Sequence, residues 1–479
     1  MKPTREVEPM FTKIRNRTWL VAIATFATAF PVIASAEGET PTPRGLRTSL
    51  PNIVLILTDD QRADTLRFMP NVQRLLVDEG IRFSNGYVVN PLCCPSRSSI
   101  LTGAYSHTTG VYTNDPDMHG GFPAFRDGST IATWLQAAGY RTSLFGKYLN
   151  GYGVTTYVPP GWDEWFSTFK DGGYYDYAAV ADGDAMRFGH DPADYGTTVL
   201  RDRAVSFIRS TEPSQPLFMY FAPHAPHEPA IPERRDRDAF VSESPRRTIS
   251  YDERDVSDKP DHVRRLGRID PETRRDIDEF RLSQIQTLQS VDRSVAVLID
   301  TLEDTGRLEN TMIVFTSDNG MFWGEHRLRG KSQVYEEAIG VPFVVRYDTL
   351  IENARTDESL ALNIDLAPTF AELAGVSAPG AEGRSLLPRL RSPSASWRDA
   401  FLVEHMAKGS YGAPTFCAIH TDRYVLVRYA TGEEELYDLV RDPQQMENVA
   451  TSTRYVEERR SLRTELRRLC DPLPPGFAF

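Results

Sequence analysis

Four short, mostly apolar runs separated by helical patterns constrain the fold of this chain more than any other feature. They cover residues 52–58, 142–145, 217–222 and 312–316. Runs of this kind are expected of strands that are buried on both faces of a sheet. Their alternation with helical segments predicts an α/β fold with a large, mostly parallel sheet flanked by helices.

Polar side chains follow two of these predicted strands. Asp59 and Asp60 come directly after the first run, and Asp318 and Asn319 come after the last one. The carboxyl ends of strands in open α/β sheets are where ligands bind. Oxygen ligands without imidazole or thiolate favour Ca²⁺, and Mg²⁺ or Mn²⁺ less, over zinc. Taken alone, a pair of aspartates after a strand more often forms a helix cap or a turn.

The stretch from Cys93 to Gly103 reads Cys-Cys-Pro-Ser-Arg-Ser-Ser-Ile-Leu-Thr-Gly. Pro95 suits the first turn of a helix and Gly103 suits its end. The two cysteines are therefore expected at a helix N-terminus, which is a favourable place for an anion. Two cysteines that pack as small hydrophobic residues are the alternative, but this reading does not explain the Pro-Ser-Arg that follows.

This stretch resembles the signature of the type I sulfatases, in which the first cysteine is oxidised to formylglycine. The resemblance implies that Cys93 is the modified residue and that Cys94 is a bystander. It also implies an alkaline-phosphatase-like fold and one bound Ca²⁺, with Mg²⁺ or Mn²⁺ less favoured. The implied metal ligands are Asp59, Asp60, Cys93, Asp318 and Asn319.

Further cations and a histidine match blocks of the same family. The implied catalytic residues are Cys93, Arg97, Lys147 in Gly-Lys-Tyr, His227 in Pro-His-Glu-Pro and Lys331 in Gly-Lys-Ser. Without these matches, each cation would be interpreted as an ordinary exposed residue. His224 stays open between a substrate contact and a purely local role.

The implied mechanism begins with the hydrate of formylglycine at position 93. One hydroxyl attacks sulfur, with Asp318 as its candidate base. His227 or Lys331 protonates the leaving alcohol, and the remaining hydroxyl then expels sulfate and restores the aldehyde.

One departure from the family pattern concerns the residues after Lys147. Leu149 stands where many sulfatases have a histidine, and Asn150 could supply a hydrogen bond in its place.

The Cys-Cys-Pro-Ser-Arg and Gly-Lys-Tyr-Leu-Asn versions of these two motifs resemble those of the N-acetylglucosamine-6-sulfatases and the heparan 6-O-sulfatases. The resemblance covers residues 52–448 and implies hydrolysis of a 6-O-sulfate of N-acetylglucosamine or a related glycan. An arylsulfatase of broad specificity, a phosphonate or phosphate monoester hydrolase and a non-catalytic glycan-binding protein are the alternatives.

The beginning of the chain predicts export. Basic residues precede an apolar run over 19–33, and Ala34-Ser35-Ala36 offers small residues for cleavage. This pattern is typical of a secretory signal peptide over 1–36, and so of a periplasmic, secreted or lysosome-like protein. A short lead-in over 37–50 follows, and no later stretch is long and apolar enough to span a membrane.

The remaining chain is expected to form two parts. A catalytic α/β domain is predicted over 51–385, with a charged surface excursion over 231–275. A smaller α+β subdomain, an antiparallel sheet with one helix, is predicted over 397–479. His326 and His405 are further candidates for sugar contacts, each with an ordinary local role as the alternative.

The net charge of −12 argues against a nucleic-acid partner, which would require a basic face. The partners that the resemblance implies are a sulfated glycan and a formylglycine-generating enzyme. Cys417 and Cys470 could pair in an exported chain, with two free buried thiols as the alternative.

Overall fold

A ten-stranded sheet with helices on both faces forms the larger part of the protein. The computed structural model describes residues 50–153, 156–169, 173–408 and 412–479. The predicted signal peptide and all of the lead-in except Leu50 lie outside these residues. The predicted domain boundaries stay predictions.

The strands are β1 (Asn52–Thr58), β2 (Ile81–Phe83), β3 (Gly86–Tyr87), β4 (Arg141–Lys147), β5 (Glu164–Phe169), β6 (Ala178–Ala181), β7 (Asp184–Arg187), β8 (Leu217–Ala222), β9 (Thr311–Ser317), β10 (Phe322–Trp323), β11 (Arg329–Gly330), β12 (Phe343–Arg346), β13 (Arg355–Asp357), β14 (Ala361–Leu362), β15 (Ala400–His405), β16 (Phe416–Thr421), β17 (Tyr424–Tyr429) and β18 (Glu434–Asp438).

The α-helices are α1 (Pro70–Val72), α2 (Cys93–Thr102), α3 (Ser106–Thr109), α4 (Gly121–Ala124), α5 (Ile131–Ala137), α6 (Gly196–Ser210), α7 (Asp261–Arg264), α8 (Pro271–Asp304), α9 (Glu336–Ile339), α10 (Leu366–Leu373), α11 (Leu387–Arg391) and α12 (Val456–Leu469).

The large sheet has a parallel centre. Its strand order is β13-β2-β12-β9-β1-β8-β4-β5-β6-β7. The five strands from β9 to β5 run parallel to their neighbours, whereas β12, β6 and β7 pair in antiparallel fashion. This arrangement confirms the predicted mostly parallel α/β sheet.

The central strand β1 is buried on both faces, as its continuous apolar sequence predicts. Ile53 and Leu55 pack into the core on the side of α5 and α10. Val54 and Ile56 pack into the core on the side of α6 and α8. The sheet therefore lies between two helical layers, and only the ends of its strands are open to ligands.

The long helix α8 spans one face of this sheet. Asp270 caps its N-terminus by accepting hydrogen bonds from the backbone N–H groups of Glu272 (2.9 Å) and Thr273 (3.0 Å). Leu288, Val291 and Val295 recur at helical spacing and are fully buried. In the described part of the chain, no helix combines the length and apolar character that a membrane span needs.

A second, four-stranded antiparallel sheet lies near the C-terminus, as predicted. Its order is β15-β16-β17-β18. The amphipathic helix α12 packs on it through Leu462 and Leu466. Cys417 in β16 and Cys470, directly after α12, form a disulfide. The bond links the helix to the sheet. Of the two alternatives that the sequence left open, a disulfide and two free thiols, the structure has the disulfide.

The charged segment 231–275 packs partly inside the protein. Lys259 is fully buried, and its Nζ donates to the carbonyl oxygens of Gln445 (2.7 Å) and Met446 (2.8 Å). Asp252 is also buried and accepts two hydrogen bonds from Arg268. These charges are inside because each has partners, which is what burial of an ion requires.

Replacing Cys417 and Cys470 together by alanine is expected to lower the free energy of unfolding by about 2–4 kcal/mol. The bond links residues separated by 53 positions and so restricts the unfolded chain. Urea denaturation followed by circular dichroism measures the change. Reduced wild-type protein is the control and should lose the same amount. Equal midpoints for the variant and the oxidised wild type would contradict this expectation.

Candidate active site

Two neighbouring strand ends bring four polar residues together in one cluster. They are Asp59, Asp60, Asp318 and Asn319. β1 and β9 run parallel with Thr58 beside Ser317, so the residues that follow them meet at the same edge of the sheet. The backbone N–H of Asp60 donates to Asp318 Oδ1 at 3.1 Å. Asp60 has φ 64°, a left-handed conformation that aspartate tolerates better than most residues. This turn keeps the Asp60 side chain in the cluster.

Helix α2 begins at Cys93 and ends before Gly103, which has φ 74° as expected of a C-terminal cap. Cys93 is fully buried at the centre of the cluster. Its Sγ lies 3.6 Å from Asp59 Oδ1 and 3.9 Å from Asp60 Oδ1. Lys331 Nζ approaches the same sulfur to 2.8 Å.

Arg97 lies one turn further along α2 and is also fully buried. Its Nε donates to Asp318 Oδ2 at 2.7 Å, and a terminal nitrogen donates to the carbonyl oxygen of Lys147 at 2.8 Å. Arg97 thus ties α2 to the ends of β9 and β4. Its side chain has no exposed surface and contacts other groups of the cluster.

Two lysines complete the charge balance. Lys147 at the end of β4 forms an ion pair with Asp59, and Lys331 directly after β11 forms one with Asp60. Their side chains keep 11% and 15% of their surface exposed, so both ammonium groups border open space. A ligand in the adjacent cavities can reach these two cations.

Two histidines follow β8 in one loop. His224 Nδ1 lies 3.5 Å from Asp59 Oδ2, and His227 Nε2 lies 3.6 Å from Asp60 Oδ2. The other nitrogen of each ring approaches the carbonyl oxygen of Glu228, at 3.1 and 2.7 Å. The two rings are 4.6 Å apart, so both belong to the site. The sequence alone did not settle this point for His224.

Burial and charge shift the pKa values in opposite directions. Burial raises the pKa of Cys93 to about 12, although Lys147 and Lys331 oppose this. Burial alone would raise the pKa of Asp59, but Lys147 and His227 outweigh it and hold that pKa well below its usual range. Burial lowers the pKa of His224 to about 3. At neutral pH, Cys93 is therefore a protonated thiol and a weak nucleophile.

The cluster brings candidate metal ligands together. Asp59, Asp60, Cys93 and His227 each place one potential ligand atom within 4.8 Å of the others, and the carboxylate oxygens among these atoms suit a hard cation. Asn319 Nδ2 donates to Asp60 Oδ1 at 2.6 Å, while its buried Oδ1 has no hydrogen-bond partner. An orphaned amide oxygen beside carboxylates fits a Ca²⁺ ligand. The predicted ligand set contained Asp59, Asp60, Cys93, Asp318 and Asn319 but not His227, and Asp318 is not among the four residues of this group.

A cavity of about 450 Å³ opens beside Asp60, His227 and Lys331. Most of its other walls come from α8, β10 and β11, and the rest come from Glu228 and Met321. The lining residues are Glu228, Asp276, Ile277, Phe280, Met321, Phe322, Trp323, Arg329 and Gly330. The cavity thus combines charged and apolar side chains, which suits a ligand with an anionic group and an apolar face.

A second cavity of about 220 Å³ lies on the other side of His227. Lys147, His224, Leu149 and Asn150 line it. Asn150 therefore occupies the region in which the sequence predicted a replacement for the missing histidine, and its buried Oδ1 has no partner.

All nine residues predicted for catalysis or metal binding lie in this one cluster. Their roles stay predictions. His326, by contrast, is fully buried. Its Nδ1 is hydrogen-bonded to Glu253 Oε2 at 2.6 Å, and its ring stacks on Tyr335. His405 is also buried and packs on Phe416. Neither lines the two cavities beside the cluster, so their local interpretation is the better one.

Sequence reasoning missed the residues of α8 that line the large cavity. Asp276, Ile277 and Phe280 belong to the amphipathic pattern of this helix and carry no motif. Ile277 and Phe280 have the same apolar spacing as the core positions of the helix. No local signal distinguishes a helix position that faces the core from one that faces a cavity.

Two family models match the chain. One, described as Sulfatase, matches residues 51–376. The other, described as N-sulphoglucosamine sulphohydrolase, C-terminal, matches residues 324–471. Together they cover both sheets.

Known proteins resemble the chain over most of its length. It is 38% identical over 367 residues to the Extracellular sulfatase SULF-1 homolog of Drosophila melanogaster, covering 74% of this chain and 33% of that protein. It therefore spans about a third of the length of this relative. It is 33% identical over 453 residues to the N-acetylglucosamine-6-sulfatase of Homo sapiens, covering 84% and 81% of the two chains.

A solved structure has a fold similar to that of this chain. It is described as a complex with its substrate, D-glucosamine-2-N,6-O-disulfate. The TM-score is 0.77 at 27% sequence identity, with 88% of this chain and 97% of the other covered.

Proposed function

The chain belongs to the sulfatase family, and on that premise we propose that it hydrolyses the 6-O-sulfate ester of N-acetylglucosamine or of a related sulfated glycan. The reaction adds water to the sulfate ester and releases an alcohol and hydrogen sulfate. One observation carries the proposal, namely the buried cluster of Cys93, three carboxylates and three cations at the mouth of an amphipathic cavity.

Cys93 is the position of the nucleophile in this proposal. As a thiol it is protonated and weakly reactive, because burial raises its pKa to about 12. Formylglycine at this position supplies a hydrated aldehyde whose oxygen can attack sulfur. Two features favour an anionic group at position 93. Cys93 lies at a helix N-terminus, and the ammonium group of Lys331 lies 2.8 Å from the sulfur of Cys93.

A divalent cation completes the electrostatics. The three carboxylates of Asp59, Asp60 and Asp318 are balanced by three cationic side chains, which leaves little attraction for an anion. Bound Ca²⁺, with Mg²⁺ or Mn²⁺ as alternatives, supplies the positive charge that a sulfate ester needs. Asp59, Asp60, Asn319 and Asp318, with the group at position 93, would hold it.

The remaining side chains take distinct roles. Lys147 and Lys331 border the open space and neutralise the sulfate oxygens. His227 is the most exposed of these groups and lies next to both cavities, so it donates the proton to the leaving alkoxide. Arg97 is a positioning residue that fixes Asp318.

The proposed setting is an exported enzyme. The signal-peptide pattern over 1–36 supports export. Maturation requires a formylglycine-generating enzyme as a partner, because the chain encodes cysteine at position 93.

The proposal is tested by sulfate release from protein co-expressed with a formylglycine-generating enzyme. We expect release from N-acetylglucosamine 6-sulfate and little from 2-O- or 4-O-sulfated sugars. Release from an aryl sulfate alone would keep the sulfatase chemistry and discard the glycan. With conversion of Cys93 confirmed by peptide mass, turnover of an aryl phosphonate but of no sulfate ester would point to the phosphonate hydrolases.

The two adjacent cysteines are expected to differ sharply in their effect on activity. Cys93→Ala and Cys93→Ser should reduce sulfate release to background, because neither can form the aldehyde. Cys94→Ala should keep most of the activity, because its backbone N–H, which donates to Asn114 at 2.9 Å, is retained. Initial rates under identical conditions measure the difference. Wild-type rates in the Cys93 variants would refute the assignment of the nucleophile.

Ca²⁺ should raise the melting temperature of chelator-treated protein. A ligand that binds only the folded state, at a hundredfold excess over its Kd, stabilises that state by about 2.7 kcal/mol. Asn319→Leu should weaken this response, whereas the exposed control Asp78→Asn should keep it. Differential scanning fluorimetry with Ca²⁺, Mg²⁺ and Mn²⁺ measures the shift. A melting temperature that none of these ions changes would argue against the metal.

A further inference from the structure

One cation at the large cavity stands apart from the balanced cluster. Arg329 lies in β11, two residues before Lys331, and lines the same cavity. Its side chain is exposed. In the described part of the chain, its guanidinium makes no ion pair and no side-chain hydrogen bond.

The neighbouring arginine, Arg327, differs from Arg329 because its guanidinium is fully engaged. Arg327 donates to the backbone carbonyl oxygens of Glu253, Leu266 and Arg254, at 2.8, 2.8 and 2.9 Å, and so serves the fold. Arg329 serves no such contact, although Asp276 and Glu228 also line the cavity. Its charge is therefore available to an anion that enters the cavity.

The backbone holds Arg329 at a defined place beside the proposed sulfate site. It pairs directly opposite Trp323 across the two strands β10 and β11. Its Cα is at most about 7.6 Å from that of Lys331, since each residue step spans about 3.8 Å. Trp323 is itself fixed, because its Nε1 donates to the buried Gln284 at 2.6 Å.

We propose that Arg329 binds a second anionic group of the substrate, a sulfamate or a carboxylate, about one sugar ring away from the ester that is cleaved. A planar guanidinium matches both groups with paired hydrogen bonds. The inference rests on the proposed function and names the substrate more closely, as a glycan with at least two anionic groups.

The test compares three sugars that share one 6-O-sulfate. N-acetylglucosamine 6-sulfate has no second anion, glucosamine 2-N,6-O-disulfate has it on the same ring, and a uronate-containing disaccharide has it on the next ring. Arg329→Gln should raise KM about 10-fold for at least one doubly charged sugar and leave kcat unchanged. KM for the singly charged sugar should stay the same, and higher salt should shrink the difference.

Two variants serve as controls. Arg329→Lys keeps the charge, so its KM for the doubly charged sugar should lie between those of the wild type and Arg329→Gln. Arg82→Gln removes another exposed arginine, which lies on β2 away from the cavity, and should change nothing. A response confined to one of the two doubly charged sugars supports the proposal and identifies the source of the anion.

Binding separates the failure of this inference from the failure of the proposed function. Isothermal titration of the sugars into Cys93→Ser protein measures affinity without turnover. Equal loss of affinity for all three sugars on Arg329→Gln, or no loss for any, overturns the inference even if sulfate is released. A loss specific to a doubly charged sugar supports it, even if the enzyme proves to cleave another ester.

Discussion

The burial of three carboxylates at two adjacent strand ends is the constraint on which the rest of the site depends. An isolated buried carboxylate costs many kcal/mol, and so each must have a cationic or hydrogen-bonding partner. Arg97, Lys147 and Lys331 supply these partners from α2, β4 and the residue after β11. Three distant parts of the chain are thereby drawn to one edge of the sheet, and two of these cations, Lys147 and Lys331, also border the adjacent cavities.

Much of this arrangement could be predicted from the sequence because the signals are local. The apolar run of β1 specifies a buried strand, and Asp59 and Asp60 must then lie at its end. Pro95 and Gly103 mark the helix that starts at Cys93. The cavity wall could not be predicted, since it forms where α8 passes the strand pair β10–β11, which contains Trp323. The partial burial of the charged segment 231–275 also depends on partners such as Gln445, far away in sequence.

Helix α8 has a second role besides covering the sheet. Its buried Gln284 accepts a hydrogen bond from Trp323 Nε1 at 2.6 Å and donates one to the carbonyl oxygen of Pro226 at 3.1 Å. Pro226 directly precedes His227. One amide therefore sets the distance between the cavity wall and the histidine loop, and the same helix that stabilises the core also fixes the width of the site.

The complete burial of Cys93 has a consequence for the oxidation that the proposed function requires. An enzyme that oxidises this side chain cannot reach it once α2 has packed. The contact between Asp60 and Asp318 joins residues 258 positions apart, so the site cannot be complete until most of the chain has been made. Under the proposed function, the oxidation of Cys93 therefore has to come before this contact forms.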